Sequence, residues 1–174
     1  MFCLAVAGWR GLPGGSTVST NDYDRVVAIA QAQVGVKETK GNNDGVEVET
    51  YLSAAGLKKG QPWCAAFLTW IFKQAGYDRP RTGWSPALFP AGRQVKTASP
   101  GLVFGIYFPT LNRVAHCGMV EQVKGNWITG IEGNTSISGS RDGDGVYRKL
   151  RHVKTIHRYA DWIIKNSKQK GGPL

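Results

Sequence analysis

Histidine and cysteine are both scarce in this chain, with three of each in 174 residues. Cys3, Cys64 and Cys117 are too few and too scattered for a disulfide framework or a zinc cluster, and their odd number fits free thiols. Acidic residues are also thin: 12 Asp and Glu stand against 22 Lys and Arg, a formal net charge of +10. No run approaches the ~20 consecutive apolar residues of a membrane span, so none is expected. No dense Lys/Arg block or nucleic-acid motif appears either, which leaves nucleic acid unsupported as a partner. The opening Met1-Phe2-Cys3-Leu4-Ala5-Val6-Ala7-Gly8 is apolar, but it lacks a basic lead and is short for a signal-peptide core. A protein of this kind that acts outside a cytoplasm is expected to depend on something else for its export or release.

The remaining composition is ordinary, with 41% apolar and 20% charged residues, and the length suits one domain able to bury a core and hold a cleft. The charge excess points to an anionic partner such as a bacterial cell wall, or serves solubility alone. Residues 1–19 are read as a flexible arm, 20–164 as the folded domain and 165–174 as a polar tail. Ser19, Thr20 and Asn21 offer caps for a first helix whose apolar face uses Val26, Val27, Ile29, Ala30 and Val34. Val46, Val48, Tyr51, Leu52 and Ala55 mark a second helix that stops at Gly56. After a proline-punctuated stretch from Asp78 to Pro100, in which Trp84, Leu88 and Phe89 are available to cover a cleft edge, Leu102 to Phe108 reads as a buried strand. Val114–Val123, Trp127–Ile131 and Val146–Val153 follow as further strands. Lys124-Gly125-Asn126 is a good hairpin connection, and Arg141-Asp142-Gly143-Asp144-Gly145 another. Ile156 to Ile164 adds a closing strand or short helix. Helices first and antiparallel strands second predict an α+β domain.

The most informative stretch is Gln61-Pro62-Trp63-Cys64-Ala65-Ala66-Phe67-Leu68. Pro62 cannot continue a helix backwards, so a helix begins near Trp63 or Cys64 and runs to Gly76. A thiol in its first turn sees unpaired N–H groups and the positive end of the helix dipole, and both favour thiolate. The plain alternative is a small buried hydrophobe. Farther along, Ala115-His116-Cys117-Gly118 opens one strand and Ile131-Glu132-Gly133-Asn134-Thr135 ends the next. Glu132 and Asn134 are two apart and face the same way, so both can address one imidazole. The hairpin through Gly125 sets them beside His116. A thiolate, an imidazole and a polar group that orients the ring form an activated nucleophile.

The order Pro-Trp-Cys-Ala-Ala-Phe, Ala-His-Cys-Gly-Met-Val, Ile-Glu-Gly-Asn-Thr is similar to the CHAP domain (cysteine, histidine-dependent amidohydrolase/peptidase), a papain-like group of phage endolysins and bacterial wall hydrolases. The resemblance covers residues 22 to 160. It extends upstream to Val34-Gly35-Val36-Lys37-Glu38 and Gly41-Asn42-Asn43. It implies a papain-like fold with N-terminal helices on an antiparallel sheet. It implies Cys64 as nucleophile, His116 as base then acid, Glu132 as the ring's orienter and Asn134 as a further polar member. Pro100-Gly101-Leu102 departs from the Pro-Gly-Asp common in the family, which touches none of these roles. The implied function is hydrolysis of a peptidoglycan amide, as an N-acetylmuramoyl-L-alanine amidase or a stem or cross-bridge endopeptidase. A phage endolysin made in the host cytoplasm and released is the setting that fits the missing leader. An injected antibacterial toxin, a wall-remodelling enzyme and a noncatalytic wall-binding module are the alternatives.

Several residues compete for roles. Cys117 adjoins His116 on a strand, where neighbours face opposite ways, so it is assigned to the core. His152 and His157 are assigned to surface or structural positions. Glu132 is preferred over Asn134 as the imidazole's partner, because a carboxylate stabilises imidazolium through charge. The main-chain N–H of Cys64 is the oxyanion donor, with Gln61 a candidate second. Trp63, Trp84 and Trp127 are candidates to flank a substrate groove. Asp142-Gly143-Asp144-Gly145 lacks the ligand ladder of a calcium loop and is read as a turn, while Asn42, Asn43, Asp44 and Glu47 form a second oxygen-rich patch. No cofactor or metal is called for, and a monomer acting on peptidoglycan is expected.

Overall fold

Helices do come first. α1 (Thr20–Gln31), α2 (Val46–Ala54) and α3 (Cys64–Gln74) precede every strand. α3 ends as Gly76 predicts, with φ at +83°. The Tyr77 N–H donates to the Phe72 carbonyl at 2.9 Å and the Gly76 N–H to the Lys73 carbonyl at 3.0 Å. These two bonds satisfy carbonyls that the helix leaves open, and the Phe72 and Tyr77 rings meet edge to face across the turn.

The strands are β1 (Gln94–Val95), β2 (Val103–Phe108), β3 (Arg113–Lys124), β4 (Trp127–Thr135), β5 (Gly145–His152) and β6 (Arg158–Ala160). They form one sheet in the order β1-β6-β2-β3-β4-β5, with every pair antiparallel. The fold is thus α+β, with the N-terminal helices packed on an antiparallel sheet. The computed structural model describes residues 20–137 and 143–163; the arm with Cys3, the tail from 165 and the Arg141-Asp142 part of the second turn lie outside them. Among the described residues no helix is long and apolar enough to cross a membrane.

β4 runs through Ile131 to Thr135, as the sequence reading has it, so Glu132, Gly133 and Asn134 belong to the strand itself. Leu88 and Phe89 are buried in the core, and only Trp84 of that stretch stays at the surface. The closing segment contributes just the three residues of β6.

α3 is the centre of the helical layer. Phe67, Leu68, Ile71 and Phe72 are fully buried, each contributing ~1.5–3 kcal/mol of apolar burial. They join Val26, Ala30, Val48 and Leu52 of the other helices with Val103, Cys117, Met119 and Ile131 of the sheet. The opposite sheet face carries a smaller cluster of Leu102, Phe104, Val120, Ile128 and Tyr159, covered by Val153 and Ile156 from the link between β5 and β6.

β4 crosses the start of α3 at Gly133. A Cβ there would lie 2.7 Å from Cζ3 of Trp63 and 2.8 Å from Cγ of Phe67, both fully buried. Gly133→Ala is therefore expected to destabilise the fold by ~1–3 kcal/mol, the usual cost of overpacking, and to lower the urea midpoint accordingly. An unchanged midpoint would show that the two elements part freely.

Candidate active site

Cys64 is the first residue of α3, following Trp63 at the cap position. The N–H groups of that first turn have no helical acceptor and face the thiol's end of the helix. The side chain is 6% exposed and lines a cleft of about 900 Å³ together with His116, Asn134, Arg113, Lys149 and Arg151. His116 stands on β3 opposite Ile106 of β2. Its Nε2–H donates to Oε2 of Glu132 at 2.7 Å, because an ionised carboxylate can only accept. Nδ1 is then the nitrogen left for the thiol, with which the ring interacts.

The electrostatics follow from these contacts. A hydrogen bond from the Cys117 thiol, opposed by burial and reinforced by the His116 ring and the Ser85 hydroxyl, holds Cys64 well below the ordinary cysteine range. Burial pulls His116 down, but its bonds to Cys64 and Glu132 outweigh that and push it up to about 9. Burial would raise the Glu132 carboxyl, yet Arg151 and then His116 keep it below the usual carboxylate range. These shifts all favour a thiolate beside an imidazolium, backed by a buried carboxylate.

Glu132 itself is fully buried, and a buried carboxylate needs partners. Arg151 on β5 supplies them. Its Nε–H donates to Oε1 at 2.8 Å and its Nη2–H to Oε2 at 2.7 Å, a two-pronged grip. Gly118 makes room for this carboxylate: a Cβ there would come within 2.8 Å of Cγ of Glu132.

Asn134 does not join the imidazole. Its backbone takes φ of 55°, outside strand geometry, and the β4–β5 pairing is irregular between Glu132 and Thr135. That turn aims the side chain toward the helix layer. Oδ1 accepts the Trp63 N–H at 3.1 Å, and Nδ2 donates to Oδ1 of Asn43 at 3.0 Å and to the Gly143 carbonyl at 3.3 Å. Asn134 thus ties β4 to the residue preceding Cys64 and to the 38–43 loop.

The groove candidates separate. Trp63 is fully buried, with its indole N–H donating to Oε1 of Glu38 at 2.8 Å, so it is core and cannot flank a groove. Trp127 is 46% exposed but packs edge-on against His152 at the start of β4, five residues and roughly 17 Å of strand from Glu132. It does not line the cleft. Gln61 is exposed, and its Oε1 accepts the Lys58 N–H at 2.7 Å, which closes a local turn outside the cleft lining. Trp84 is 53% exposed and carries the Arg113 guanidinium over its ring, 4.2 Å from the centroid. His152 Nδ1 accepts the Lys154 N–H, and the His157 ring lies against Tyr107, both away from the thiol.

Cys117 lies in the core as its strand position predicts, and its thiol is pushed well above the ordinary range by burial and by Cys64. Its nearness to Cys64 is not visible in sequence. Both sulfurs meet one hydroxyl, Ser85 Oγ, at 3.3 Å from Cys64 and 3.8 Å from Cys117. Asp44 of the oxygen-rich patch accepts the Lys40 N–H at 2.9 Å and lies 4.0 Å from the Lys59 ammonium. Among the described residues no group of three or more His, Cys, Asp or Glu side chains is arranged to hold a metal ion.

No protein-family model matches the chain, and no curated protein matches it. Two solved structures of Ly7917 are similar to it, one of them with the hydrolyzing product of MDP. Identity is 18% in both, with TM-scores of 0.45 and 0.44 over 79% of this chain. The chain spans 60% and 61% of the length of those two.

Proposed function

We propose that this protein is a cysteine-dependent hydrolase that cleaves an amide bond of bacterial peptidoglycan, at the sugar–peptide junction or within the peptide part, in the manner of the CHAP group its sequence resembles. The observation that carries the reading is the thiol of Cys64 at a helix start, beside an imidazole whose far nitrogen is 2.7 Å from a buried carboxylate. The Cys64 thiolate attacks the amide carbonyl carbon, and the oxyanion forms beside the Cys64 main-chain N–H. As the C–N bond breaks, His116 passes its Nδ1 proton to the leaving amine, and a thioester remains. His116 then takes a proton from water as that water attacks the thioester, which frees the acid and restores the thiolate beside the imidazolium. Glu132 keeps the ring oriented and favours its charged form throughout. The excess of basic residues supports retention on an anionic wall, weakening as salt rises. Among the cysteines, Cys117 is the weaker nucleophile candidate, because it is fully buried and its thiol resists ionisation.

The test is mass spectrometry of soluble fragments released from purified walls. Each cut should add one water and leave a new amine and a new carboxyl. A free lactyl carboxyl assigns the amidase reading, and a free residue within the stem or bridge assigns the endopeptidase. Release should rise with pH as Cys64 ionises, below the ordinary thiol range, and fall again through about 9 as His116 loses the proton the leaving amine needs. Walls that are bound but yield no fragment at any pH between these limits would favour the noncatalytic module.

A further inference from the structure

We propose that Arg113, held against Trp84, forms a subsite for a carboxylate of the substrate, close to the bond that is cut. The proposal rests on the reading that the cleft receives a peptide.

The placement of Arg113 depends on a fault in the sheet. Ile106 pairs with His116 but Tyr107 pairs with Val114, so Ala115 is an extra residue on β3. In a regular strand, residues three apart face opposite ways. The bulge cancels that, and brings Arg113 to the same face as His116, opposite Phe108. Arg113 accordingly lines the cleft that holds Cys64 and His116, on a wall shared with Ile106, Phe108 and Leu111.

The partners of the guanidinium matter too. Arg25, Arg148 and Arg151 each grip a carboxylate, those of Asp22, Glu121 and Glu132, whereas Arg113, like Arg93 over Trp162, is carried by an indole, and of these two only Arg113 lines the cleft. No described acidic residue pairs with Arg113. One face of its guanidinium lies over Trp84, and Nη1–H donates to the Val114 carbonyl at 3.2 Å. Stacking on the ring limits the fork's freedom before any ligand arrives. A fixed, planar cation beside apolar side chains suits the two oxygens of a carboxylate. The peptide part of the substrate is the source of that group which the cleft would bring to Arg113. A peptide with a free carboxylate near the scissile amide is therefore preferred over the same peptide as its carboxamide.

The experiment compares muramoyl-peptide fragments with free carboxylates against the same fragments after full amidation. Wild type should hydrolyse the carboxylate form with kcat/KM about tenfold higher, within the range of one charge-assisted contact. Arg113→Gln should reduce that preference to below about threefold, chiefly through a raised KM for the carboxylate form and with a smaller effect on the amidated form; Arg113→Lys should recover part of it. Lys154→Gln, which removes the same charge outside the cleft, should keep the full preference. Equal losses on both substrates, no preference in wild type, or an equal effect of Lys154→Gln would overturn the subsite. Failure of wild type to cut either form would instead count against the hydrolase reading. In that event, calorimetric titration of both forms into Cys64→Ala and into Cys64→Ala/Arg113→Gln decides the subsite: discrimination by the first and not the second supports it, and any other pattern overturns it.

Discussion

Cys64→Ala is expected to lower the rate of wall hydrolysis by ~10⁴-fold or more, the scale seen when the attacking atom of a nucleophile–base unit is removed. Cys117→Ala is expected to keep activity within about tenfold of wild type. The contrast follows from position, since both thiols are buried beside Ser85 but only Cys64 sits at a helix start and lines the cleft. Cys117→Ala should still leave a trace. The Cys117 hydrogen bond is the strongest influence lowering Cys64, so its loss moves the acid limb of the pH profile upward. Fragment release across pH, with circular dichroism to verify folding, checks both parts. An active Cys64→Ala with a dead Cys117→Ala would reverse the assignment.

The second large effect is expected at Arg151. Arg151→Met leaves Glu132 fully buried with a single remaining partner, and breaking such a pair from one side costs ~3–5 kcal/mol. Partial exposure of Arg151, 28% at its side chain, places the expectation at the lower end of that range. The carboxyl, now without the strongest influence holding it down, titrates higher and loses charge sooner. On the acid side His116 then loses its charged partner sooner, so the acid limb of activity moves up, while near pH 9 the carboxylate is still ionised and the alkaline limb stays in place. Glu132→Gln removes that charge at every pH and should move the alkaline limb down from about 9. Denaturant unfolding and the pH profile together test this. An unmoved acid limb in Arg151→Met together with an unmoved alkaline limb in Glu132→Gln would remove both residues from any part in setting the ring's charge.

How much of this was legible in sequence depended on how local each cause is. Pro62 and Gly76 bracket α3, and Gly125 closes a hairpin, because each acts on its own backbone. The meeting of His116 and Glu132 follows from strand alternation and one short turn, both readable. Arg151 was missed because its grip on Glu132 needs the β4–β5 register: it pairs with Ile128, four residues from Glu132 along the same face, and its long side chain spans the gap. Asn134 was expected to face the ring by alternation, and a single left-handed residue turned it away. Trp63 looked like a groove wall because an indole next to a nucleophile reads the same whether buried or exposed; the missing Cβ of Gly133 decides the matter, letting the ring sink under β4. Ser85 and Arg113 carry no motif. One acts through a hydroxyl 21 residues from Cys64, the other through a bulge that adds one residue to a strand.

The amide that Asn134 accepts from Trp63 makes a helix terminus and a sheet strand share one fastening, immediately upstream of the sulfur. Sulfur and ring therefore ride on separate layers whose alignment is set at that seam. A sideways slip of the layers by little more than a bond length parts the two reacting groups while leaving every helix and strand intact. Inactivation on warming should accordingly run ahead of the loss of secondary structure.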